Sequence, residues 1–190
     1  MLPLQDLGPR IAILGPSNAG KSTLAVAVGQ KLGVPVVHLD PLNHTPHTDW
    51  VPRPKEDFAA LHEEAILGET WVMEGNYSRL VPRRFERATG AILITSNSWL
   101  RLGRYFRRTL GPASSRLGTL EGAPEYINWR MIDWIMFKTP ANAKRYAKMI
   151  RATDLPAVFC NDRHALNDVY RSWELAFPAD QKQQMTPQTL

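Results

Sequence analysis

Apolar and polar positions follow two rhythms along this chain. Short apolar blocks recur, the first three stopped by a glycine or an acid, and stretches with helical spacing run between them. Residues 10–14 carry Ile11, Ala12, Ile13 and Leu14 and stop at Gly15, as a buried parallel strand does. From 21 to 32, Leu24, Ala25, Val28 and Leu32 form one helical stripe, and Gly33 follows as a C-cap. Residues 34–39 read as a second strand ending at Asp40. The chain therefore opens with a strand-loop-helix-strand unit, the start of a parallel sheet.

Residues 41–54 hold Pro41, Pro46, Pro52 and Pro54, with His44, His47 and Trp50 between them, and are expected to be irregular. A loop this long inside a compact domain points to function. The pattern then predicts an amphipathic helix over 55–67 and a third strand over 70–73, which leads into Glu74-Gly75. A short basic helix over 81–88 and a fourth strand over 91–94 follow. Residues 98–110 read as an Arg-rich helix, running into a Gly/Pro/Ser loop at 111–115. One or two long helices occupy 125–151, broken or kinked at Pro140. A fifth strand is expected over 156–160 and a last helix over 165–177. Trp129, Trp134 and Trp173 fall on helical stripes and are expected in the core, as is the thiol of Cys160. There are no internal repeats, so residues 1–178 read as one domain and 179–190 as a frayed tail.

Composition narrows the class. With 190 residues, 44% of them apolar and 22% charged, the chain has the balance of a soluble domain. A chain this long buries roughly 70% of its unfolded surface and needs no disulfide or structural metal. Its single cysteine cannot form an internal disulfide, which suits a reducing cytoplasm. The N-terminus lacks the basic and apolar regions of a signal peptide. No stretch reaches the roughly 18 to 20 apolar residues of a membrane span. These features set the expectation of a cytoplasmic protein with no membrane partner. The formal net charge is +5, and the excess is local. Arg101, Arg104, Arg107, Arg108 and Arg116 crowd into a segment with no acid from Trp99 to Leu120. Such a segment wants an anion, unless it is only a solvated helix face.

The strongest chemical signal lies between the first strand and the first helix. Gly15, Pro16, Ser17, Asn18, Ala19, Gly20, Lys21 and Ser22 spell G-x-x-x-x-G-K-S, with Thr23 next. Glycines let the backbone curl so that its N–H groups converge on phosphate oxygens, and the following helix adds its positive end. Lys21 places a charge on the β- and γ-phosphates, and the Ser22 hydroxyl is a Mg2+ ligand. The segment predicts ATP with Mg2+ as the cofactor pair. In an open parallel sheet, ligands sit beyond the carboxyl ends of the strands. Asp40 after strand two and Glu74 after strand three should therefore face the same crevice. Glu74 suits the Mg2+ shell. Asp40 is open to three roles: base, acceptor-orienting group or second Mg2+ contact. A plain turn residue before Pro41 is its bland alternative.

Arg101, Arg104 and Arg108 are three and four residues apart and would share a helix face, with Arg107 beside them. Arginines on a closing lid stabilise a phosphoryl group in transit and exclude water, which makes Arg104 and Arg108 catalytic candidates with Lys21 and Asp40. A nucleic-acid patch is less favoured, because the segment lacks repeated aromatics for stacking. His44 and His47 have no further ligands nearby for zinc. Trp50 either stacks on a planar substrate or anchors its loop on the core.

Val72-Met73-Glu74-Gly75-Asn76-Tyr77-Ser78-Arg79 resembles the strand-three motif of small P-loop kinases, which reads D-G-F-P-R in adenylate kinases. The chain is more similar still to the adenylate-kinase-related DNA topology modulation proteins. The resemblance runs through the phosphate loop, His38-Leu39-Asp40, Trp50, Glu74-Gly75-Asn76-Tyr77-Ser78, the Arg-rich helix and a later Trp-rich stretch. It spans most of residues 10–170. It implies a three-layer α/β P-loop NTPase fold with a five-stranded parallel sheet in the order 2-3-1-4-5. It also implies an acceptor-binding insert at about residues 41–68 and a lid at about 98–122. ATP is expected on Gly15 to Thr23, with Asn161, Asp162 and Arg163 near the base. The acceptor is expected against Asp40, Trp50, Glu74, Asn76 and Arg79. Two positions depart from the family pattern. Glu74 stands where an Asp is usual and reaches one methylene further, and Arg79 comes one residue later than the arginine of D-G-F-P-R. The resulting expectation is a phosphotransferase passing the γ-phosphoryl group of ATP to a small-molecule acceptor, as a monomer or homodimer. The competing readings are an ATP-dependent regulator, for instance one contacting nucleic acid, and a plain NTPase motor, for which the chain is short.

Overall fold

The computed structural model describes residues 1–110, 127, 129–133, 135–136 and 139–177, with only the backbone at 108, 130 and 139–141. Five strands form one parallel sheet: β1 (Arg10–Leu14), β2 (Val36–His38), β3 (Trp71–Glu74), β4 (Gly90–Ile94) and β5 (Ala157–Cys160). Their order is β2-β3-β1-β4-β5, the order that the resemblance implies. The helices are α1 (Lys21–Leu32), α2 (Leu39–Asn43), α3 (Lys55–Ile66), α4 (Val81–Arg87), α5 (Ser98–Leu110), α6 (Trp129–Asp133), α7 (Thr139–Arg151) and α8 (Arg163–Ser172).

Strand geometry explains why the central blocks are apolar throughout. Successive side chains point to opposite faces, and both faces of this sheet are covered. Ile11 and Ile13 of β1 join Ile92 and Ile94 of β4 in one core, with Leu24 and Val28 of α1 and Leu166 and Val169 of α8. Ala12 and Leu14 join Ala91 and Leu93 in the other, with Phe58 and Ile66 of α3, Phe85 of α4 and Tyr146 and Ile150 of α7. The register pairs Ile13 with Glu74 and with Ile92, so β1, β3 and β4 end level with one another. That alignment puts the loops after these strands at one edge of the sheet.

Several boundaries differ from the sequence expectation. β2 stops at His38, and Leu39–Asn43 turns into a short helix that carries Asp40 in its first turn. The prolines explain the misreading. Pro41 sits in the first turn, where its missing N–H is not needed, and an acid there suits the helix dipole. Pro140 stands in the first turn of α7, so the 125–151 stretch is broken there, one of the two expected alternatives. The last helix ends at Ser172, five residues earlier than expected, because Glu174 takes a left-handed φ of 51°. Trp173 is buried as expected and donates its indole N–H to Leu2 O at 3.0 Å. Trp129 is not in the core but 80% exposed. The expectations for Trp134, Arg116, the 111–115 loop, most of the lid beyond Leu110 and the tail at 179–190 fall outside the described residues.

A short 3-10 turn at Leu4–Leu7 was not legible beforehand. It inserts Leu4 and Leu7 into the core beneath β1 and β4. Gly90 opens β4 because a side chain there would meet Leu7 O at 2.6 Å. Leu7 is fully buried, so Leu7→Ala should cost about 2–5 kcal/mol in unfolding free energy, measured by urea denaturation.

Candidate active site

The loop between β1 and α1 owes its shape to positive φ angles at Gly15 (145°), Asn18 (60°) and Gly20 (108°). At Gly15 a Cβ would collide with the carbonyl oxygen of Ile94, so only glycine fits. Ala19 N donates to Pro16 O at 3.3 Å, which closes the curl. The Lys21 ammonium lies back across the loop and donates to Pro16 O at 3.3 Å. The amides of Lys21, Ser22 and Thr23 open α1, so no turn before them can accept from them. Curled amides, a helix N-terminus and a lysine together make a concave cationic surface suited to a polyphosphate.

Four consecutive residues at the end of β3 reach out from this loop's flank. Glu74 is 3% exposed; its Oε1 accepts from Ser22 Oγ at 3.0 Å and lies 2.9 Å from His38 Nδ1. Burial pushes its carboxyl up, but the His38 hydrogen bond, the charge of Lys21 and the Ser22 hydroxyl outweigh that and hold it below the usual range. Glu74 is therefore an anion inside the protein, touching the hydroxyl that the motif assigns to Mg2+. Gly75 N donates to Ile13 O at 3.2 Å. Asn76 Oδ1 accepts from Gly15 N at 3.1 Å, so this side chain grips the phosphate loop. Tyr77 OH donates to Asp40 Oδ1 at 2.7 Å.

Asp40 is exposed, and its carbonyl is 2.7 Å from His44 Nδ1. Trp50 has a left-handed φ of 52° and packs edge-on against His44, with centroids 5.1 Å apart. That contact ties the tip of the insert back on itself. Arg79 is exposed on the loop before α4.

The arginines of α5 divide. Arg101 is buried and donates to Ser96 O, Ser98 Oγ and Ile135 O at 3.2, 2.8 and 2.9 Å. It braces the root of the helix. Arg104 is half-buried and donates to Ala19 O at 3.0 Å and Asn18 O at 3.4 Å, on the far end of the phosphate loop. Burial, then the charges of Arg163 and Arg107, lower its proton affinity. Arg104 thus sits against the loop under repulsion from neighbouring cations, which an anion would relieve. The side chain of Arg108 lies outside the described residues. A cavity of about 470 Å³ opens beside Pro16, between Thr95, Asn97, Trp99, Arg101 and Met136. The Ser96 hydroxyl, also in its wall, is buried without a hydrogen-bond partner.

Sequence reasoning missed Arg84 and His62. Arg84 is fully buried in α4 and donates to Gly75 O at 2.7 Å and Asn76 O at 3.4 Å. Its Nε lies 3.3 Å from His62 Nε2. It holds the backbone from which Glu74, Asn76 and Tyr77 project. Burial lowers the Arg84 pKa to about 10. His62 must be neutral to accept from Arg84, and burial with the Arg84 charge lowers its pKa to about 4. The only sequence signal was that basic residues on the 81–88 helix outnumber those an exposed face needs.

No protein-family model matches the chain, and no curated protein matches it. Among solved structures it is similar to a shikimate kinase from Bacteroides thetaiotaomicron, at 18% identity and a TM-score of 0.47, over 88% of this chain and 99% of that one. It is similar to a deoxyadenosine kinase from M. mycoides at 15% identity and a TM-score of 0.48, over 92% and 99% of the two chains. A gluconokinase from Sinorhizobium meliloti 1021 follows at 16% and 0.42, over 75% and 98%. Likeness at this level says nothing of what this chain binds.

Two outcomes are expected. Asn76→Ala frees the Gly15 amide and loosens the loop, so the dissociation constant for ATP·Mg2+ in calorimetry should rise about tenfold. For His62, the folded pKa lies below the unfolded value of 6.5, so the unfolded chain binds the extra proton. Its contribution to stability is full above pH 6.5 and falls as the pH drops toward about 4, and His62→Gln should flatten that part of the stability-pH curve.

Proposed function

We propose that the chain is an ATP- and Mg2+-dependent phosphotransferase that passes the γ-phosphoryl group to a hydroxyl of a small-molecule acceptor. The observation that carries this reading is the ionised, buried Glu74 bonded to Ser22 Oγ at 3.0 Å beside the Gly15–Gly20 curl. A hydroxyl and a carboxylate brought together at the mouth of a phosphate-binding curl form the donor set that Mg2+ takes, since it prefers oxygen ligands and shares them with substrate phosphates. Ser22, with Glu74 behind it, would hold that ion, which neutralises charge on the β- and γ-phosphates when bound.

The chain's own residues do the rest. Loop amides and Lys21 bind and orient the triphosphate. Arg104, with Arg163, lies at the Asn18–Ala19 end of the loop and suits the nucleoside side of ATP. Arg108 is assigned to the moving phosphoryl group from its helical spacing with Arg104. Asp40 orients the acceptor hydroxyl and takes its proton as the acceptor oxygen bonds to the γ-phosphorus. The bond from that phosphorus to the bridging oxygen breaks, and its electron pair leaves with ADP. Trp50 and Arg79 are assigned to the acceptor side with Asp40. In this reading one domain, residues 1–178, carries an acceptor insert at about 41–68 and a lid at about 98–122. The likeness of residues 74–78 to DNA topology modulation proteins then reflects kinase-like architecture and not action on DNA.

The test is ADP formation from ATP·Mg2+ with a panel of nucleosides, nucleoside monophosphates, sugars and hydroxy acids. At least one acceptor should raise the rate roughly tenfold or more above that in water, and Lys21→Ala should abolish the rise. A panel on which no compound exceeds the water rate sinks the kinase reading.

A further inference from the structure

Tyr77 has a conformation that its residue type disfavours. Its φ is 43°, in the left-handed region where a bulky side chain is uncommon. Such strain persists only where surroundings over-determine it, and it concentrates at functional sites. Here the surroundings are visible. The Tyr77 carbonyl accepts from Leu80 N at 2.8 Å, and its ring packs edge-on against Phe58 of α3 with centroids 4.7 Å apart. Its hydroxyl donates to Asp40 Oδ1 at 2.7 Å. Among the described residues, Asp40 Oδ2 accepts no hydrogen bond. Asp40 itself is exposed on a short helix, so little else fixes its carboxylate.

We propose that Tyr77 is a positioning residue for phosphoryl transfer. Its hydroxyl fixes one carboxylate oxygen of Asp40 so that the other is presented to the acceptor hydroxyl. The inference rests on the assignment of Asp40 to the acceptor. Burial, then the charge and hydrogen bond of Asp40, raise the phenol's pKa well beyond the ordinary tyrosine value, so Tyr77 remains a donor through the neutral range. A donor that never ionises locks a rotamer without competing for the proton that Asp40 must take. The strained turn has a further consequence. Tyr77 directly follows Asn76, which grips Gly15, so the backbone that positions the acceptor's base also positions the phosphate loop.

Water serves as the acceptor in the test: its oxygen bonds to the γ-phosphorus, its proton passes to Asp40, and ADP and phosphate leave. ADP release from ATP·Mg2+ is measured for the parent chain, Tyr77→Phe, Asp40→Asn and the double variant, with each melting temperature. Tyr77→Phe keeps the ring on Phe58 and should lose about tenfold in kcat with KM for ATP unchanged. Asp40→Asn should lose at least as much, and the double variant should be no slower than Asp40→Asn, because the two groups act as one. A Tyr77→Phe chain with parental kcat overturns the proposal and leaves Asp40 its role. So does a double variant whose loss is the product of the single losses, or a Tyr77→Phe defect that disappears on cooling. If Asp40→Asn keeps the parental rate, the Asp40 assignment fails and the role of Tyr77 with it. A parent chain that releases no ADP with water or with any compound of the acceptor panel overturns the phosphotransfer reading beneath both.

Discussion

A carboxylate that has been taken out of water must find partners, and Glu74 is that carboxylate in this fold. Unpaired burial would cost several kcal/mol or force the group to take up a proton. Glu74 avoids both by drawing three elements toward one oxygen. Ser22 comes from the first turn of α1 and His38 from the end of β2, while β3 supplies Glu74 itself. The short edge strand β2 has only three residues, so its His38–Glu74 contact adds substantially to the backbone pairing that holds it. The requirement that keeps Glu74 ionised therefore also sets where the phosphate loop begins its helix.

Two buried arginines obey the same rule from the opposite sign. Arg84 and Arg101 each spend several of their donors on backbone carbonyls. A guanidinium has five donors in a fixed plane, so it can hold several carbonyls at the end of a strand or helix at once. Arg84 holds Gly75 and Asn76, and Arg101 holds Ser96 and Ile135. Each stands behind a loop at the carboxyl edge of the sheet, one after β3 and one after β4. The sheet edge that gathers the phosphate loop, Glu74 and the cavity is thus braced by cations that solvent does not reach. Lys21, Arg104 and Arg163 make the field at that edge positive, which favours polyanions there.

Much of this was readable in advance, and the limits were physical. The strands were legible because a sheet covered on both faces requires unbroken apolar runs, as in Ile11–Leu14 and Ala91–Ile94. The phosphate loop was legible because its backbone shape demands glycine at fixed places. The helix Leu39–Asn43 was not, since Pro41 suggests irregular chain unless one knows that it falls in a first turn. Trp129 misled because a helical stripe says that residues share a face and not which way that face points. Asn76, His38 and Tyr77 were visible as parts of a motif, but their partners Gly15, Glu74 and Asp40 lie 61, 36 and 37 positions away. Only the folded register brings those pairs together.

The length of the side chain at position 74 then acquires a meaning. β3 and β1 are in register at Ile13 and Glu74, so the strand ends cannot slide to bring a shorter acid closer. Glu74 Oε1 is 3.0 Å from Ser22 Oγ and 2.9 Å from His38 Nδ1, good hydrogen-bond distances on both sides. Removing one methylene would withdraw the carboxylate by more than a hydrogen bond tolerates, unless the loop or β2 moved with it. The loop is pinned by Asn76 at Gly15, and β2 by pairing with β3. The glutamate is therefore matched in length to His38 and Ser22 together. That length keeps the carboxylate on the hydroxyl that the phosphate loop presents.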